Sequence, residues 1–393
     1  MPLLAHRVED APSVFTMAEH EYVRGLKRKE SDAVMRVIQG KRTKAESAPL
    51  RIRVLQSAFP EVLKVQLFRD LRSPCAPEKL MQWVLKALAL PLGRVLHPPR
   101  APSARAAIEA SRAAMDAVLV GHETLKREIL QLACQGRAGG GKRGYALGLE
   151  GPPGTGKTHF VREAMPVALG LPIVSIPLGG AIDISYLLGS LYTYEGSKEG
   201  RLAAALTEAG CSNPIIHFDE VDKVSTTDRG QEIVSTLIHL VDPSANATLR
   251  DRYFHGIDLD FSRCTFVFSY NDPSRISPVL LDRIRRVAVP APAEDERRRI
   301  VVEHLVPRTA ARLGVPDLAL EDGAVDALLQ GATPGGMREL EKRVEHVLAA
   351  AQLALALEAA DATGPVTAVF ARAHVAARDV SRDAPPPPPG MYT

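Results

Sequence analysis

The spacing of apolar positions changes along the chain and divides it into regions of different predicted structure. Over residues 1–104, apolar side chains recur among charges, most densely from Leu50 to Leu71, a pattern typical of helices. Three prolines in residues 96–104 interrupt that pattern and indicate a linker. Over residues 105–290, helical segments alternate with short β-branched runs, which predicts a parallel sheet covered by helices. The predicted strands are Tyr145–Leu149, Pro172–Ile176, Ile215–Phe218 and Thr265–Ser269.

The C-terminal part of the chain keeps helical spacing without further strand-like runs. Residues 291–380 are therefore predicted to form a small helical lid. Residues 381–393 include five consecutive prolines, and we expect this tail to be disordered and roughly the first 45 residues to be flexible. The predicted fold class is α/β, with a parallel sheet, a C-terminal helical lid and a helical N-terminal domain. The predicted lid helices are Glu294–Leu305, Asp322–Gln330, Met337–Leu357 and Thr367–Arg378.

Composition and charge narrow the class of protein. The chain is 46% hydrophobic and 24% charged, values typical of globular proteins, and no apolar run approaches the roughly 20 residues of a membrane span. A net charge of +3 does not predict a nucleic-acid partner. The four cysteines lack CxxC spacing, which argues against a zinc site and a disulfide framework. Since the first residues show no targeting pattern, we expect a cytosolic or nuclear protein without a membrane partner.

Residues 151–158 read GPPGTGKT and match the phosphate-binding P-loop pattern at every fixed position, between a predicted strand and a predicted helix. Glycines let the backbone approach phosphate oxygens, and the loop N–H groups supply positive potential. We expect Lys157 to reach the β- and γ-phosphates and the Thr158 hydroxyl to bind Mg²⁺. The predicted cofactors are therefore ATP and Mg²⁺. The predicted nucleotide-binding loop comprises Gly151, Pro152, Pro153, Gly154, Thr155, Gly156, Lys157 and Thr158.

Residues 215–220 read IIHFDE and place two carboxylates at the end of a buried strand, where open α/β sheets bind ligands. We expect Asp219 to hold Mg²⁺, directly or through water, and Glu220 to activate the attacking water as general base. Together these residues predict hydrolysis. His217 is unusual in this apolar strand, and we expect a hydrogen-bonded core imidazole rather than a catalytic group.

Longer segments resemble one family, the AAA+ module of Lon proteases. The likeness is carried by residues 179–286, which include LLGSLYTYEGSKEGRL, NPIIHFDEVDKVSTTDRGQ and LVDPSANATLRDRYFHGIDLDFSRCTFVFSYND. The segment SPVLLDRIRRVAVP, which ends at residue 290, is similar to a Lon segment as well. Upstream, EKLMQWVLKALALPLGR and VLVGHETLKREIL are also similar to Lon segments, as is PGGMRELEKRV downstream. The resemblance spans about residues 50–380 and implies a P-loop AAA+ fold that hydrolyses ATP.

The resemblance also implies further site residues. Asn271 matches the sensor 1 position, which orients the attacking water, although NDP is in itself a turn signal. Arg283 matches the arginine finger that reaches the γ-phosphate of a neighbouring subunit, with Arg285 and Arg286 as nearby alternatives. Arg338 matches sensor 2, an arginine that acts within its own subunit. The implied ATP site is therefore shared between subunits.

A polypeptide-handling motor follows from the same resemblance. Tyr194 occupies the pore-loop aromatic position that grips polypeptide, with Glu195 where Lon has an aliphatic residue, and a plain surface tyrosine is the alternative. A ring of six subunits that unfolds, translocates or remodels polypeptide is implied. We find neither a PKDGPSAG-like stretch nor room for a peptidase domain after Arg378. We therefore expect no intrinsic peptidase, and a separate peptidase is a possible partner.

Two other functions stay open at this point. The basic clusters Lys27–Lys29 and Lys41–Lys44 would suit an AAA+ ATPase that acts on nucleic-acid-bound complexes, although a solvated basic arm explains them equally well. A regulatory ATP-binding subunit of a protease assembly is the third possibility. Salt-dependent DNA binding would favour the former, and stimulation of the ATPase by an unfolded protein would favour the motor.

Overall fold

A computed structural model describes most of the chain between residues 49 and 375. The basic clusters, Glu195 and the proline-rich tail lie outside the described residues. Contacts divide the chain into two compact units, Met1–Leu88 and Ala89–Thr393, while the domain boundaries at residues 104, 290 and 380 stay predictions. The described residues are 49–72, 77–98, 101–137, 144–194, 196–315, 318, 320–330, 336–357, 366, 370–371 and 374–375.

The first unit is helical in its described part. Its helices are α1 (Leu50–Gln56), α2 (Glu61–Asp70) and α3 (Glu78–Ala89), the last of which reaches the unit boundary. A proline stands immediately before α1 and before α2, where its missing N–H costs no helical hydrogen bond. Arg51 joins the two helices: its guanidinium lies 3.8 Å from the Phe68 ring centroid, and its Nε donates to the Phe68 carbonyl at 3.1 Å.

The second unit is built on a five-stranded sheet in the order β2-β3-β6-β1-β7. Every neighbouring pair is parallel, which confirms the predicted α/β class. Because the inner strands of a parallel sheet are covered on both faces, their residues are largely apolar, and all six residues of β6 are buried. The strands are β1 (Tyr145–Glu150), β2 (Ile173–Pro177), β3 (Ile215–Asp219), β6 (Thr265–Tyr270) and β7 (Arg285–Ala288), with a separate antiparallel pair of β4 (Leu249–Arg250) and β5 (Asp258–Leu259).

Helices precede and connect these strands, and a further group follows the sheet. None of the helices in the described residues is long and apolar enough to cross a membrane. The helices are α4 (Ala104–Asp116), α5 (Glu123–Arg137), α6 (Lys157–His159), α7 (Met165–Leu169), α8 (Ser185–Leu188), α9 (Arg201–Ala209), α10 (Asp228–Val241), α11 (Pro278–Arg283), α12 (Glu294–Ile300), α13 (Val306–Arg312), α14 (Asp322–Leu329) and α15 (Met337–Leu357).

Two helices loosen into a π-turn, at Phe160–Ala164 and at Val301–Leu305. Each turn is followed by a helix whose second residue is proline, Pro166 or Pro307. Proline lacks the N–H of a regular helical bond, and its ring clashes with the carbonyl four residues earlier. The wider π spacing in the preceding turn relieves that clash, so both helices continue instead of ending.

Two apolar cores can be delimited among the described residues of the second unit. One lies between the sheet and helices α4 to α7, where Leu147, Ile215 and Val267 meet Phe160 and Met165. The other lies among α13 to α15 and the π-turn before α13, and it is independent of the sheet. The helices after the sheet therefore form a body with its own core, as expected of a lid.

Candidate functional site

The loop between β1 and α6 approaches its surroundings too closely for ordinary side chains. At Gly151 an added Cβ would lie 2.3 Å from the carbonyl oxygen of Val289, and Gly156 has a φ of +92°, which favours glycine. The loop ends where α6 begins, at Lys157. These constraints explain why a glycine-rich sequence is needed at the end of β1.

Lys157 is the centre of this loop. Its Nζ donates to the carbonyl oxygens of Gly151 at 2.6 Å and Pro152 at 2.8 Å, and to Oδ1 of Asn271 at 2.9 Å. Burial lowers the pKa of Lys157, and the nearby carboxylates of Asp219 and Asp222 oppose that shift. The charged ammonium is thus hydrogen-bonded to neutral oxygens. An anionic phosphate would replace them favourably, because hydrogen bonds between charged groups are stronger.

Asp219 and Thr158 face each other across the loop. Oγ1 of Thr158 lies 3.5 Å from Oδ2 of Asp219, and Oδ1 of Asp219 accepts from the Glu220 N–H at 3.0 Å and from Oγ of Ser269 at 2.6 Å. Among the described residues, no three His, Cys, Asp or Glu side chains gather into a metal cage. A hydroxyl and a carboxylate fit Mg²⁺ at a nucleotide, because this ion takes most of its oxygens from phosphates and water.

Glu220 is strained where β3 ends. Its φ is +59°, a conformation that costs energy for a side chain other than glycine and that recurs at functional sites. Its Oε1 is paired with Nζ of Lys223. Its Oε2 lies against Gly179, where an added Cβ would sit 2.2 Å away. Gly179 therefore clears the space that the Glu220 carboxylate occupies.

His217 is fully buried, and both ring nitrogens have partners. Nε2 lies 2.9 Å from Oγ of Ser269, and Nδ1 lies 3.2 Å from Oγ of Ser175. Burial lowers the pKa of His217 to about 4, with Asp219 acting in the opposite direction. The expected hydrogen-bonded core imidazole is what the structure shows, and one of its partners contacts Asp219.

Sequence reasoning missed Asp222. This buried carboxylate accepts from the backbone N–H groups of Asn271 at 3.1 Å and Asp272 at 3.2 Å through its Oδ2. It therefore ties the segment after β3 to the segment after β6 and fixes where Asn271 stands. The available signal was its position two residues after Glu220 in DEVDK. A third carboxylate so close to two others is usually interpreted as a solvated surface acid.

The predicted cis-acting residues gather around a cavity of about 350 Å³, a size in the range of small-molecule sites. Lys157, Thr158, Asp219, Glu220 and Asn271 line it from the end of β3 and from the segments that follow β1, β3 and β6, and Arg338 lines it from the start of α15. The lining also has an apolar part, well suited to a base, while the oxygen and ammonium groups suit phosphate and Mg²⁺. The apolar lining includes Val118, Leu119, Val120, Pro292, Ile300 and Leu305.

The three candidate finger arginines are not among the residues that line this cavity, and all three have intramolecular partners. Arg285 and Arg286 stand on β7, and each makes two hydrogen bonds to a carboxylate, Arg285 to Glu128 and Arg286 to Glu150. Arg283 ends α11, where one of its guanidinium nitrogens is paired with Asp242. Of the three, Arg283 has the fewest bonds to break before it could act elsewhere.

Tyr194 lies in the loop between α8 and α9, and 65% of its surface is exposed. Its N–H donates to the Leu191 carbonyl at 3.1 Å, so the backbone turns tightly at this point. The structure thus presents the ring to solvent, separate from the cavity.

Comparison with known proteins agrees with this geometry. The family model described as "ATPase family associated with various cellular activities (AAA)" matches residues 147–290, which include the P-loop, both carboxylates and Asn271. The chain is 33% identical over 341 residues to a Lon protease of Frankia alni, covering 82% of this chain and 38% of the relative.

The chain contains a Lon-like AAA+ module. A Lon protease homolog of Acanthamoeba polyphaga mimivirus is 33% identical over 238 residues, covering 60% of this chain and 23% of the relative. A mitochondrial Lon protease homolog of Phaeodactylum tricornutum is 34% identical over 261 residues, covering 65% and 29%. The chain spans less than half the length of these relatives, so the likeness concerns the AAA+ module and its flanks. The family resemblance drawn from the sequence motifs is thereby confirmed.

Proposed function

We propose that this AAA+ module binds Mg-ATP in the cavity between the sheet and the lid helices, hydrolyses it, and uses the cycle to unfold or translocate polypeptide. The observation that carries the proposal is the convergence of Lys157, Asp219, Glu220, Asn271 and Arg338 on one cavity. A lysine, an oxygen-donor pair for Mg²⁺, a carboxylate base and an arginine are the parts that phosphoryl transfer requires.

Each residue has a task in the proposed reaction. Lys157 exchanges its bonds to loop carbonyls and Asn271 for phosphate oxygens, and Thr158 with Asp219 would hold Mg²⁺, which neutralises phosphate charge when bound. Glu220 takes the proton of the attacking water once its carboxylate leaves Lys223. Asn271, fixed by Asp222, orients that water.

The shared part of the site requires copies of the chain. In the proposal, Arg283 leaves Asp242 and stabilises negative charge at the ATP of a neighbouring subunit, within a ring of six. Tyr194 contacts the polypeptide, since an exposed aromatic ring offers a large contact without demanding a particular sequence. The chain would supply the motor, either acting alone or feeding polypeptide to a peptidase.

The test measures Mg-dependent ATP hydrolysis with and without unfolded casein, at protein concentrations where copies associate. We expect casein to stimulate hydrolysis, and a Glu220→Gln variant to form an ATP-dependent ring that retains casein in size-exclusion chromatography. Tyr194→Ala should lose stimulation and keep the basal rate. Hydrolysis that casein does not change, with no retention by Glu220→Gln, would contradict the polypeptide function, and salt-dependent stimulation by DNA would point to nucleic acid instead.

A further inference from the structure

A row of polar side chains crosses one face of the sheet within an otherwise apolar core. Ser175 on β2 is the register partner of His217 on β3, and Ser269 lies two residues beyond Val267, the register partner of His217 on β6. The same face carries Leu147, Ile215 and Val267 in the main core. A buried imidazole in such a place costs desolvation free energy unless each nitrogen is satisfied.

The hydrogen atoms along this row can be assigned by counting donors and acceptors. An ionised carboxylate only accepts, so the Ser269 hydroxyl gives its single hydrogen to Oδ1 of Asp219, at 2.6 Å. Oγ of Ser269 must then accept from His217, which places a hydrogen on Nε2, 2.9 Å away. Nδ1 of the neutral ring is left to accept from Ser175, at 3.2 Å.

This assignment gives the row a direction that ends at the proposed metal site. Donation runs from Ser175 to His217, from His217 to Ser269 and from Ser269 to Asp219. A serine hydroxyl alone can rotate toward other acceptors. With Nε2–H of His217 bonded to its oxygen, the Ser269 hydroxyl has one favourable direction left, toward Asp219, whose other oxygen faces Thr158.

We propose that His217 is a positioning residue for the magnesium site: its Nε2–H orients the Ser269 hydroxyl, which in turn holds the Asp219 carboxylate toward Thr158. The inference rests on the proposed Mg-ATP site and adds a residue that would never touch metal or nucleotide. It explains why a polar ring interrupts the run of apolar residues in IIHFDE. Substitution of a residue that orients a metal ligand typically lowers metal affinity by about tenfold or more.

The test compares two substitutions at one position. His217→Leu keeps an apolar strand and removes the donor, whereas His217→Gln places an amide N–H where Nε2–H stands. With Mn²⁺ as the probe, titrated against protein loaded with a fluorescent ADP analogue, we expect His217→Leu to weaken metal binding by about tenfold and His217→Gln to restore most of it. Binding of the analogue in EDTA should stay unchanged in both variants.

A matched control and a spectroscopic readout separate positioning from packing. Thr265 is also buried on β6, on the same face, and Thr265→Val should leave Mn²⁺ affinity unchanged. In wild-type protein labelled with ¹⁵N-histidine, His217 should be the neutral Nε2–H form. If His217→Leu does not fold, Ser269→Ala tests the same row, and it should weaken Mn²⁺ binding to a similar extent.

Three results would overturn the proposal: the Nδ1–H form of His217, unchanged Mn²⁺ affinity in a folded His217→Leu or Ser269→Ala variant, or an equal loss in His217→Leu and His217→Gln. If wild-type protein itself binds no Mn²⁺ with the nucleotide analogue, the proposed Mg-ATP site fails, and the role of His217 fails with it. Metal binding by wild type together with an unaffected His217→Leu variant overturns only the role of His217.

Discussion

The Nζ of Lys157 lies 2.9 Å from Oδ1 of Asn271, so the P-loop is hydrogen-bonded to the residue that follows β6. The two strands are adjacent and parallel, with Glu150 opposite Tyr270, which brings their C-terminal ends to one edge. A phosphate that accepts a hydrogen bond from Lys157 must compete with Oδ1 of Asn271 for the Lys157 ammonium. Nucleotide binding would therefore release Asn271 to orient the attacking water.

The first prediction concerns that release. Asn271→Ala should lower kcat by about a hundredfold, as expected for loss of one oriented polar group, while ATP still binds. The measurement is steady-state ATPase together with equilibrium binding of a fluorescent ATP analogue to the variant. Ser274→Ala in the same turn is the control, because its hydroxyl bonds only Asp272 in the described contacts. A large loss of ATP binding in Asn271→Ala would contradict the proposed role.

The second prediction concerns Gly179. A Cβ at this position would lie 2.2 Å from Oε2 of Glu220, so Gly179→Ala should displace the carboxylate and lower kcat by about tenfold to a hundredfold. Gly180→Ala is the matched control, since Gly180 has a φ of +90° but no atom near its Cβ position. The Gly180→Ala variant should have a lower melting temperature than wild type and a kcat close to that of wild type. Equal kcat values for the two variants would show that Gly179 does not shape the site.

The third prediction concerns Asp222. Asp222→Ala removes the hydrogen-bond acceptor of the N–H groups of Asn271 and Asp272, and a typical hydrogen bond contributes about 0.5–1.5 kcal/mol of stability. Urea unfolding should show a loss in this range, and ATPase assays should show a lower kcat. Asp222→Asn keeps a carbonyl oxygen as acceptor and should recover much of both. If Asp222→Ala loses stability but keeps its kcat, Asp222 supports the fold without positioning Asn271.

The fourth prediction is a pH dependence of stability. Burial raises the pKa of Asp251 to about 6 from an ordinary value near 3.8, although the carboxylate accepts from the N–H groups of Gly200 and Tyr253. Because the folded state binds the proton more tightly, this group contributes stability at pH 3 to 4 that is lost as pH rises toward 7. The loss can reach about 3 kcal/mol, since one pKa unit corresponds to about 1.4 kcal/mol.

The measurement for Asp251 is urea unfolding of wild type and Asp251→Asn across pH 4 to 7. Their difference isolates this carboxyl group from other titrating groups. We expect the free energy of unfolding of wild type, relative to Asp251→Asn, to fall as pH rises. A difference that is flat or that increases with pH would contradict the raised pKa.

The fifth prediction separates the candidate finger arginines. Arg285→Ala and Arg286→Ala break pairs in which the arginine is solvent-exposed, with Glu128 and Glu150 in the same chain, so each should lower the melting temperature only slightly and leave most of the ATPase rate. Arg283→Ala should instead lower kcat by about a thousandfold or more with little change in melting temperature. Thermal unfolding and ATPase assays of the three variants decide between them. Loss of hydrolysis in Arg286→Ala but not Arg283→Ala would reassign the finger.

Much of the sheet could be predicted because its strands are short, apolar and buried. The predicted strands at Tyr145 and Ile215 differ from β1 and β3 by one residue at the C-terminal end. Strand β7 was missed because it has four residues, two of them arginines facing outward, with only Val287 buried. An edge strand of this kind has no apolar run for a sequence pattern to detect.

The candidate motif residues could be named from the sequence because their spacing along the chain is itself the signal. Contacts between segments were not found, since the contact between Gly179 and Glu220 depends on how loops turn after β2 and β3. The partners of His217 depend likewise on strand order and register. A sequence pattern predicts an element, but the neighbours of that element are set by three-dimensional packing.

In the proposed ring, one subunit supplies Glu220 and its neighbour supplies Arg283 to the same ATP. The most direct test mixes two inactive variants, Glu220→Gln and Arg283→Ala, under conditions where subunits exchange. In mixed rings, some sites combine an intact Glu220 with an intact Arg283, so ATP hydrolysis should reappear and follow the mixing ratio. If Arg283→Ala alone remains active, or if mixed rings form and stay inactive, the ATP site is not shared in this way.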